Sequence, residues 1–237
     1  MIEKTAFDRI IITGDIAEAH SFARHLYNLY DRVKVPIYFV LGNHDFYKGS
    51  IADSIKQAME INNYPIDIHY LGYDTVVKLT SKTCLIGANG WGDCRSGTVD
   101  LSRFDVNDHN RISDFLGMMP NQIIGLRQRL AEEEADRLKK TLWSACAFDH
   151  IIIATHVPPI HAKQRNNATE YSYPFYCNAA LGAELTTVTV HKDNSNKRFT
   201  VLCGHTHVGD YVEKYNMEFH ISGSNYNNPK LEVIEVK

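Results

Sequence analysis

Four short apolar segments of this sequence each end abruptly at glycine or polar residues. The segments are RIIIT, PIYFVL, HIIIA and FTVLC, at positions 9–13, 36–41, 150–154 and 199–203. Runs of this length that are rich in β-branched residues are typical of buried strands, which parallel sheets require. Helical spacing of apolar residues over 17–30 separates the first two segments. The resulting β-α-β rhythm predicts an α/β fold with a parallel sheet and right-handed crossovers.

The rest of the chain predicts further elements of the same fold. Ser50 is a candidate N-cap for a helix reaching about residue 62, and leucine spacing predicts a long helix over 121–142. The closing segments 211–214, 218–222 and 231–236 are expected to form an antiparallel set. Because no repeat or linker interrupts the sequence, we expect one domain spanning residues 1–237. The polar, aromatic stretches 90–115 and 158–180 are expected to cover a site.

Composition and charge narrow the class of protein. The net charge of −3 disfavours a nucleic-acid binder, because such proteins usually carry an excess of basic residues. Five cysteines without C-x-x-C spacing predict reduced thiols, and therefore a cytoplasmic location. No apolar run approaches the roughly 20 residues that span a bilayer, and the first residues lack the apolar core of a signal peptide. We therefore expect no membrane association; the oligomeric state stays open.

The residues that follow the four strands predict a metal site. One carboxylate, one amide and three or four imidazoles follow them directly, and in open α/β sheets ligands bind beyond the carboxyl ends of the strands. A mixed nitrogen and oxygen donor set without thiolates favours a catalytic transition metal over a structural zinc site. A carboxylate in such a set can bridge two ions about 3.5–4 Å apart, an arrangement used to clamp phosphoryl groups.

The order of these motifs resembles that of the calcineurin-like metallophosphoesterases. GD at 14–15, GNHD at 42–45, a single histidine at 156 and GHTH at 204–207 match motifs two to five of that family. The resemblance implies a four-layer α-β-β-α sandwich of two mixed β-sheets flanked by helices. It also implies a metal-dependent hydrolase of phosphate mono- or diesters that uses a metal-bound hydroxide as nucleophile. Such enzymes normally use two divalent transition metal ions, with manganese, iron or zinc as candidates.

The resemblance also implies a metal ligand set. Asp15 would bridge both ions. The second metal site would be completed by Asn43 through its side-chain carbonyl, His156 and His205. His207 would bind the first metal.

Five further residues are predicted to act on the substrate. The resemblance implies that His44 lies near the leaving-group oxygen, where it stabilises the transition state or donates a proton, and that Asp45 orients its ring. Trp91 is a candidate substrate contact, with packing of its indole as the alternative. His161 and Arg165 follow His156 along the chain and could face an anionic substrate, with an ordinary solvated loop as the alternative.

One motif of the family is missing. The D-x-H sequence that normally precedes GD is absent, and Asp67-Ile68-His69 is predicted to belong to an ordinary strand. The first metal would then keep only Asp15 and His207, so the second site is favoured. The fold would lack its first strand, which leads us to expect an N-terminally truncated chain. The alternative is a non-catalytic or mono-metal scaffold that binds a partner protein.

Overall fold

A computed structural model describes residues 7–104, 106–163, 173–225 and 228–236. Within these ranges the chain forms nine strands and six helices. The strands are β1 Ile10–Thr13, β2 Ile37–Val40, β3 Ile68–Tyr70, β4 Val77–Lys78, β5 Thr83–Gly87, β6 His150–Ala154, β7 Arg198–Cys203, β8 Asp210–Lys214 and β9 Met217–Ile221. The helices are α1 Phe22–Val33, α2 Ile51–Ile61, α3 Asn107–Arg111, α4 Pro120–Ala145, α5 Tyr173–Tyr176 and α6 Ala179–Thr189.

The strands form two sheets. The smaller sheet has the order β1-β2-β3, and both of its strand pairs are parallel. The larger sheet has the order β4-β5-β6-β7-β9-β8. Its central strands β5, β6, β7 and β9 run parallel, whereas β4 and β8 pair antiparallel at its two edges. The four segments that open the sequence analysis are β1, β2, β6 and β7, two in each sheet.

Three apolar clusters hold four layers together. Helices α1 and α2 cover the outer face of the smaller sheet, where Phe22, Leu26 and Ala58 are fully buried. Helices α4 and α6 cover the outer face of the larger sheet. The sheets face each other through a third cluster that includes Val40 and Leu85. The predicted sandwich of two sheets flanked by helices is confirmed.

Three local predictions differ from the structure. Helix α1 begins at Phe22 rather than at residue 17, because residues 17–21 still belong to the irregular connection that follows β1. Residues 231–236 form no strand, since β9 is already paired on both sides by β7 and β8. Helix α6 falls in a region where the sequence analysis predicted no helix. The segment Asp67–His69 leads into β3, as predicted.

Helix α4 presents a buried stripe to both outer clusters. Ile123 and Ala131 pack with the smaller sheet, whereas Leu138 and Leu142 pack with the larger one. The helix therefore ties the two halves of the sandwich together on the side that carries the long loops. Every helix in the described ranges is too short or too polar to cross a bilayer.

Helix α4 also offers a test of its own packing. A methyl group added at Gly125 would find no atom within 4 Å. Alanine costs less conformational entropy than glycine in a helix, so we expect Gly125→Ala to raise the free energy of unfolding by about 0.5–1 kcal/mol. Urea denaturation of both proteins measures the change. An unchanged or lower urea midpoint would mean that the backbone at residue 125 is strained or not helical.

Candidate metal centre

Four of the predicted ligands lie at the carboxyl ends of four strands. Asp15 follows β1, and Asn43 begins the 3₁₀ turn Asn43–Phe46 after β2. His156 follows β6 and His205 follows β7. Since β1 and β2 belong to one sheet and β6 and β7 to the other, the site straddles the ends of both sheets. The sandwich thereby brings together side chains that are far apart in the sequence.

The distances between these side chains are short. His156 Nε2 lies 3.0 Å from His205 Nδ1, 3.1 Å from Asn43 Oδ1 and 3.3 Å from Asp15 Oδ1. Candidate ligand atoms of Asp15, His156 and His205 all lie within 4.8 Å of one another. The four groups therefore converge on one point.

Hydrogen bonds to backbone carbonyls determine which ring nitrogens face this point. His156 Nδ1 donates to the carbonyl oxygen of Thr13 at 2.7 Å, and His205 Nε2 donates to that of Phe175 at 3.2 Å. A carbonyl oxygen only accepts, so each of these nitrogens carries a proton. Desolvation and the neighbouring His156 lower the pKa of His205 to about 3, which keeps this ring neutral at pH 7. His205 Nδ1 thus turns a lone pair toward His156 Nε2.

The donor set fits a divalent cation. Two imidazole nitrogens, the Asn43 carbonyl oxygen and the Asp15 carboxylate face one another at short distances. These are the donor types that bind a divalent cation. Imidazole nitrogen together with carboxylate and amide oxygen suits manganese, iron or zinc. Backbone carbonyls that orient the rings are typical of metal sites.

His44 and His207 line the same cleft. The His44 backbone N–H donates to Asp15 Oδ1 at 3.0 Å, and its ring stacks on Tyr47 at a centroid distance of 4.4 Å. Burial lowers the pKa of His44 below its ordinary value of 6.5. His207 Nδ1 lies 2.8 Å from the carbonyl oxygen of Ser224. Both imidazoles therefore line the same cleft as Asp15, Asn43 and His205.

Asp45 joins the two turns of the smaller sheet. Its Oδ1 accepts from the backbone N–H groups of Ile16 and Ala17 at 2.9 Å, and Oδ2 accepts from that of Gly42 at 2.8 Å. The side chain is fully buried. The sequence analysis expected this carboxylate to orient the His44 ring. These three hydrogen bonds indicate that it holds the turn after β1 against the turn after β2.

The backbone is strained at three of the predicted ligands. Asp15, His205 and His207 have φ angles of 53°, 66° and 58°. Side chains other than glycine seldom occupy this left-handed region, and such residues cost about 1–3 kcal/mol each. Gly14 directly precedes Asp15 with φ 88°, so two consecutive left-handed residues aim the carboxylate back over the strand ends.

The predicted substrate contacts are Trp91, His161 and Arg165. The Trp91 indole is 2% exposed and stacks on Phe46 at 5.1 Å, which favours the alternative of packing in the core. His161 is exposed and stacks on Tyr173 at 4.3 Å. Arg165 lies outside the described residues.

The sequence analysis missed a buried polar cluster behind Asn43. Asp108 accepts hydrogen bonds from Asn43 Nδ2 at 2.7 Å, from the Tyr47 hydroxyl at 2.8 Å and from Arg127 at 2.6 Å. Burial opposes ionisation of Asp108, but the Arg127 guanidinium and these hydrogen bonds lower its pKa to about 2. One signal was available: Arg127 is a cation on the apolar stripe of α4, four residues from both Ile123 and Ala131.

The family model of the calcineurin-like phosphoesterases matches residues 1–209. The chain belongs to this family. Membership supports a metal-dependent phosphoester hydrolase as its general class, and the possible ligand group of Asp15, His156 and His205 is consistent with the divalent metals that the family binds.

Solved structures share the fold at low sequence identity. Phosphopantetheinyl hydrolase (PptH) from Mycobacterium tuberculosis superposes with a TM-score of 0.62 at 13% identity, over 90% of this chain and 77% of that one. GAP50, described as the anchor in the inner membrane complex of Plasmodium, has a TM-score of 0.48 at 16% identity, over 91% and 62%. No curated protein matches the sequence.

Gly42 offers a steric test of the centre. A Cβ at this position would collide with Asp15 Oδ1 and with His156 Cε1. Its φ of −101° suits any residue, so the effect of alanine comes from the collision alone. We expect Gly42→Ala to weaken Mn²⁺ binding at least about tenfold, as displaced ligand geometry typically does. Calorimetric titration measures this, with Gly125→Ala as the matched control. Equal affinity of both variants and wild type would show that the cation does not bind at this point.

Proposed function

We propose that this protein is a metal-dependent hydrolase of phosphate mono- or diesters. The observation that carries the proposal is the convergence of Asp15, Asn43, His156 and His205 at the ends of both sheets. Asp15, His156 and His205 have the spacing of a group that could hold a metal ion. Family membership supplies the general reaction class.

We assign the ligands as follows. One divalent cation is held by Asp15, Asn43, His156 and His205, and the donor types favour manganese, iron or zinc. His207, together with Asp15, would hold a second ion. This second ion has only two of the described side chains as ligands, so it binds more weakly.

Residues around the centre supply the remaining functions that hydrolysis needs. When bound, such a cation lowers the pKa of a coordinated water to about 7 and so supplies hydroxide at neutral pH. His44 donates a hydrogen bond to the leaving-group oxygen. Burial lowers the pKa of this ring below its ordinary value. Asp45 keeps the turns that carry Asp15 and His44 in register through its three backbone hydrogen bonds.

The lining of the cleft favours a diester over a monoester. Apolar and aromatic side chains of Val106, Phe175 and Tyr176 border it, and Asp108 adds a negative charge. Among the described residues that line the cleft, none is lysine or arginine. A diester carries one negative charge near pH 7 and a monoester close to two, so the diester needs less neutralisation. The aromatic rings can pack against its second ester group.

Hydrolysis of chromogenic substrates tests the proposal. The chain is stripped with EDTA, reloaded with Mn²⁺, and assayed with bis-p-nitrophenyl phosphate and p-nitrophenyl phosphate. We expect Mn²⁺-dependent turnover that is faster for the diester. We expect His44→Ala to lower kcat by about 10²–10⁴-fold, because it removes the group that acts on the leaving oxygen.

The matched control is His191→Ala, which removes a partly exposed imidazole that follows helix α6. This variant should retain wild-type turnover. Absence of turnover with manganese, iron and zinc, although Mn²⁺ binds, would contradict hydrolysis and favour a partner-binding scaffold. Equal rates for wild type and His44→Ala would contradict the role given to His44.

A further inference from the structure

An asparagine ligand poses a problem that a carboxylate does not. Only the Oδ1 of Asn43 can bind a cation, whereas its Nδ2 carries two protons. Rotation of the amide by half a turn would point these protons at His156 and at the cation. Something must therefore choose between the two orientations.

Two acceptors lie on the far side of the amide. Asn43 Nδ2 donates to Asp108 Oδ1 at 2.7 Å and to the Tyr47 hydroxyl oxygen at 3.1 Å. The Tyr47 hydroxyl in turn donates to the same Asp108 oxygen at 2.8 Å. A carboxylate only accepts, so the opposite amide orientation would bring Asn43 Oδ1 against Asp108 Oδ1. This contact would be repulsive.

Asp108 is itself held in place. Arg127 donates to its second oxygen at 2.6 Å, and both side chains are nearly fully buried, with 1% of Arg127 and 7% of Asp108 exposed. The guanidinium lies 5.3 Å from the ring centroids of both Phe115 and Phe175. The aromatic rings and the buried ion pair leave the Asp108 carboxylate little freedom to move.

We propose that Asp108, anchored by Arg127, is a positioning residue that fixes the amide of Asn43 with its oxygen toward the cation. The inference rests on the proposed function, since it needs the cation site at Asn43. It goes further in that it assigns a task to two buried charges outside the ligand set.

Arg127 also supports a second proposed ligand, His205, through Phe175. Phe175, whose ring contacts the Arg127 guanidinium, supplies the carbonyl oxygen that accepts from His205 Nε2. Arg127 also donates to the carbonyl oxygen of Gly92 at 3.4 Å. It therefore supports both Asn43 and His205 from the α4 side of the cleft.

Mn²⁺ affinity of the full chain, measured by calorimetry, tests the inference. In Asp108→Asn, the new amide can donate to Asn43 Oδ1 and so favours the wrong orientation. We expect its Mn²⁺ affinity to fall about 10–100-fold, the usual effect of losing a group that orients a ligand. Asp108→Glu keeps the negative charge that compensates Arg127 and thus protects the fold, but it displaces the acceptor. We expect a loss in the same range.

Exchanging the side chains at positions 43 and 108 should restore Mn²⁺ binding. In the double variant Asn43→Asp with Asp108→Asn, the carboxylate has no wrong orientation, and the new amide donates to it. The summed charge of positions 43 and 108 is unchanged. We expect the Mn²⁺ affinity to return to the wild-type value or above. Asp93→Asn is the matched control, because it alters a fully buried carboxylate that accepts from the Ala180 backbone N–H instead.

The outcomes separate this inference from the proposed function. If wild type binds no Mn²⁺, both fail. If wild type binds but both Asp108 variants bind equally well, with only their thermal unfolding temperature lowered, Asp108 is merely structural and the inference is overturned. Loss of affinity in the Asp108 variants, its return in the exchange variant and wild-type affinity in Asp93→Asn would support it.

Discussion

The convergence of four polar side chains on one point is the constraint on which the rest of the site depends. Asp15, Asn43, His156 and His205 each turn a nitrogen or oxygen atom toward this point. The far sides of three of these groups are occupied: carbonyl oxygens accept from the two rings, and Asp108 and the Tyr47 hydroxyl accept from the amide. This arrangement supports the proposal that the point holds a cation.

The two-sheet architecture makes this convergence possible at a cost in backbone strain. Parallel strands end at a common edge, so side chains that follow β1, β2, β6 and β7 need only short turns to meet. The turns adopt left-handed φ angles at Asp15, His205 and His207. Asp45 links the turn after β1 to the turn after β2. Strain of this kind is stored at functional sites and is offset by the surrounding core.

Sequence reasoning located the strands and their terminal side chains because both leave local signals. A β-branched run and a glycine that follows it are visible in the sequence, whereas the loop that supplies a carbonyl oxygen is not. The Phe175 and Ser224 carbonyls carry no side-chain signature and could not be predicted. Arg127 could have been noticed on the apolar stripe of α4. The sequence left two roles open for Trp91, because an indole near a strand end fits a core as well as a cleft, and its burial favours the core.

The central claim is that the four acceptors share one metal ion. Anomalous X-ray diffraction from crystals grown with manganese tests it most directly. We predict a single strong anomalous peak in contact with the side chains of Asp15, Asn43, His156 and His205. An empty point between these four side chains, or a peak that contacts none of them, would contradict it.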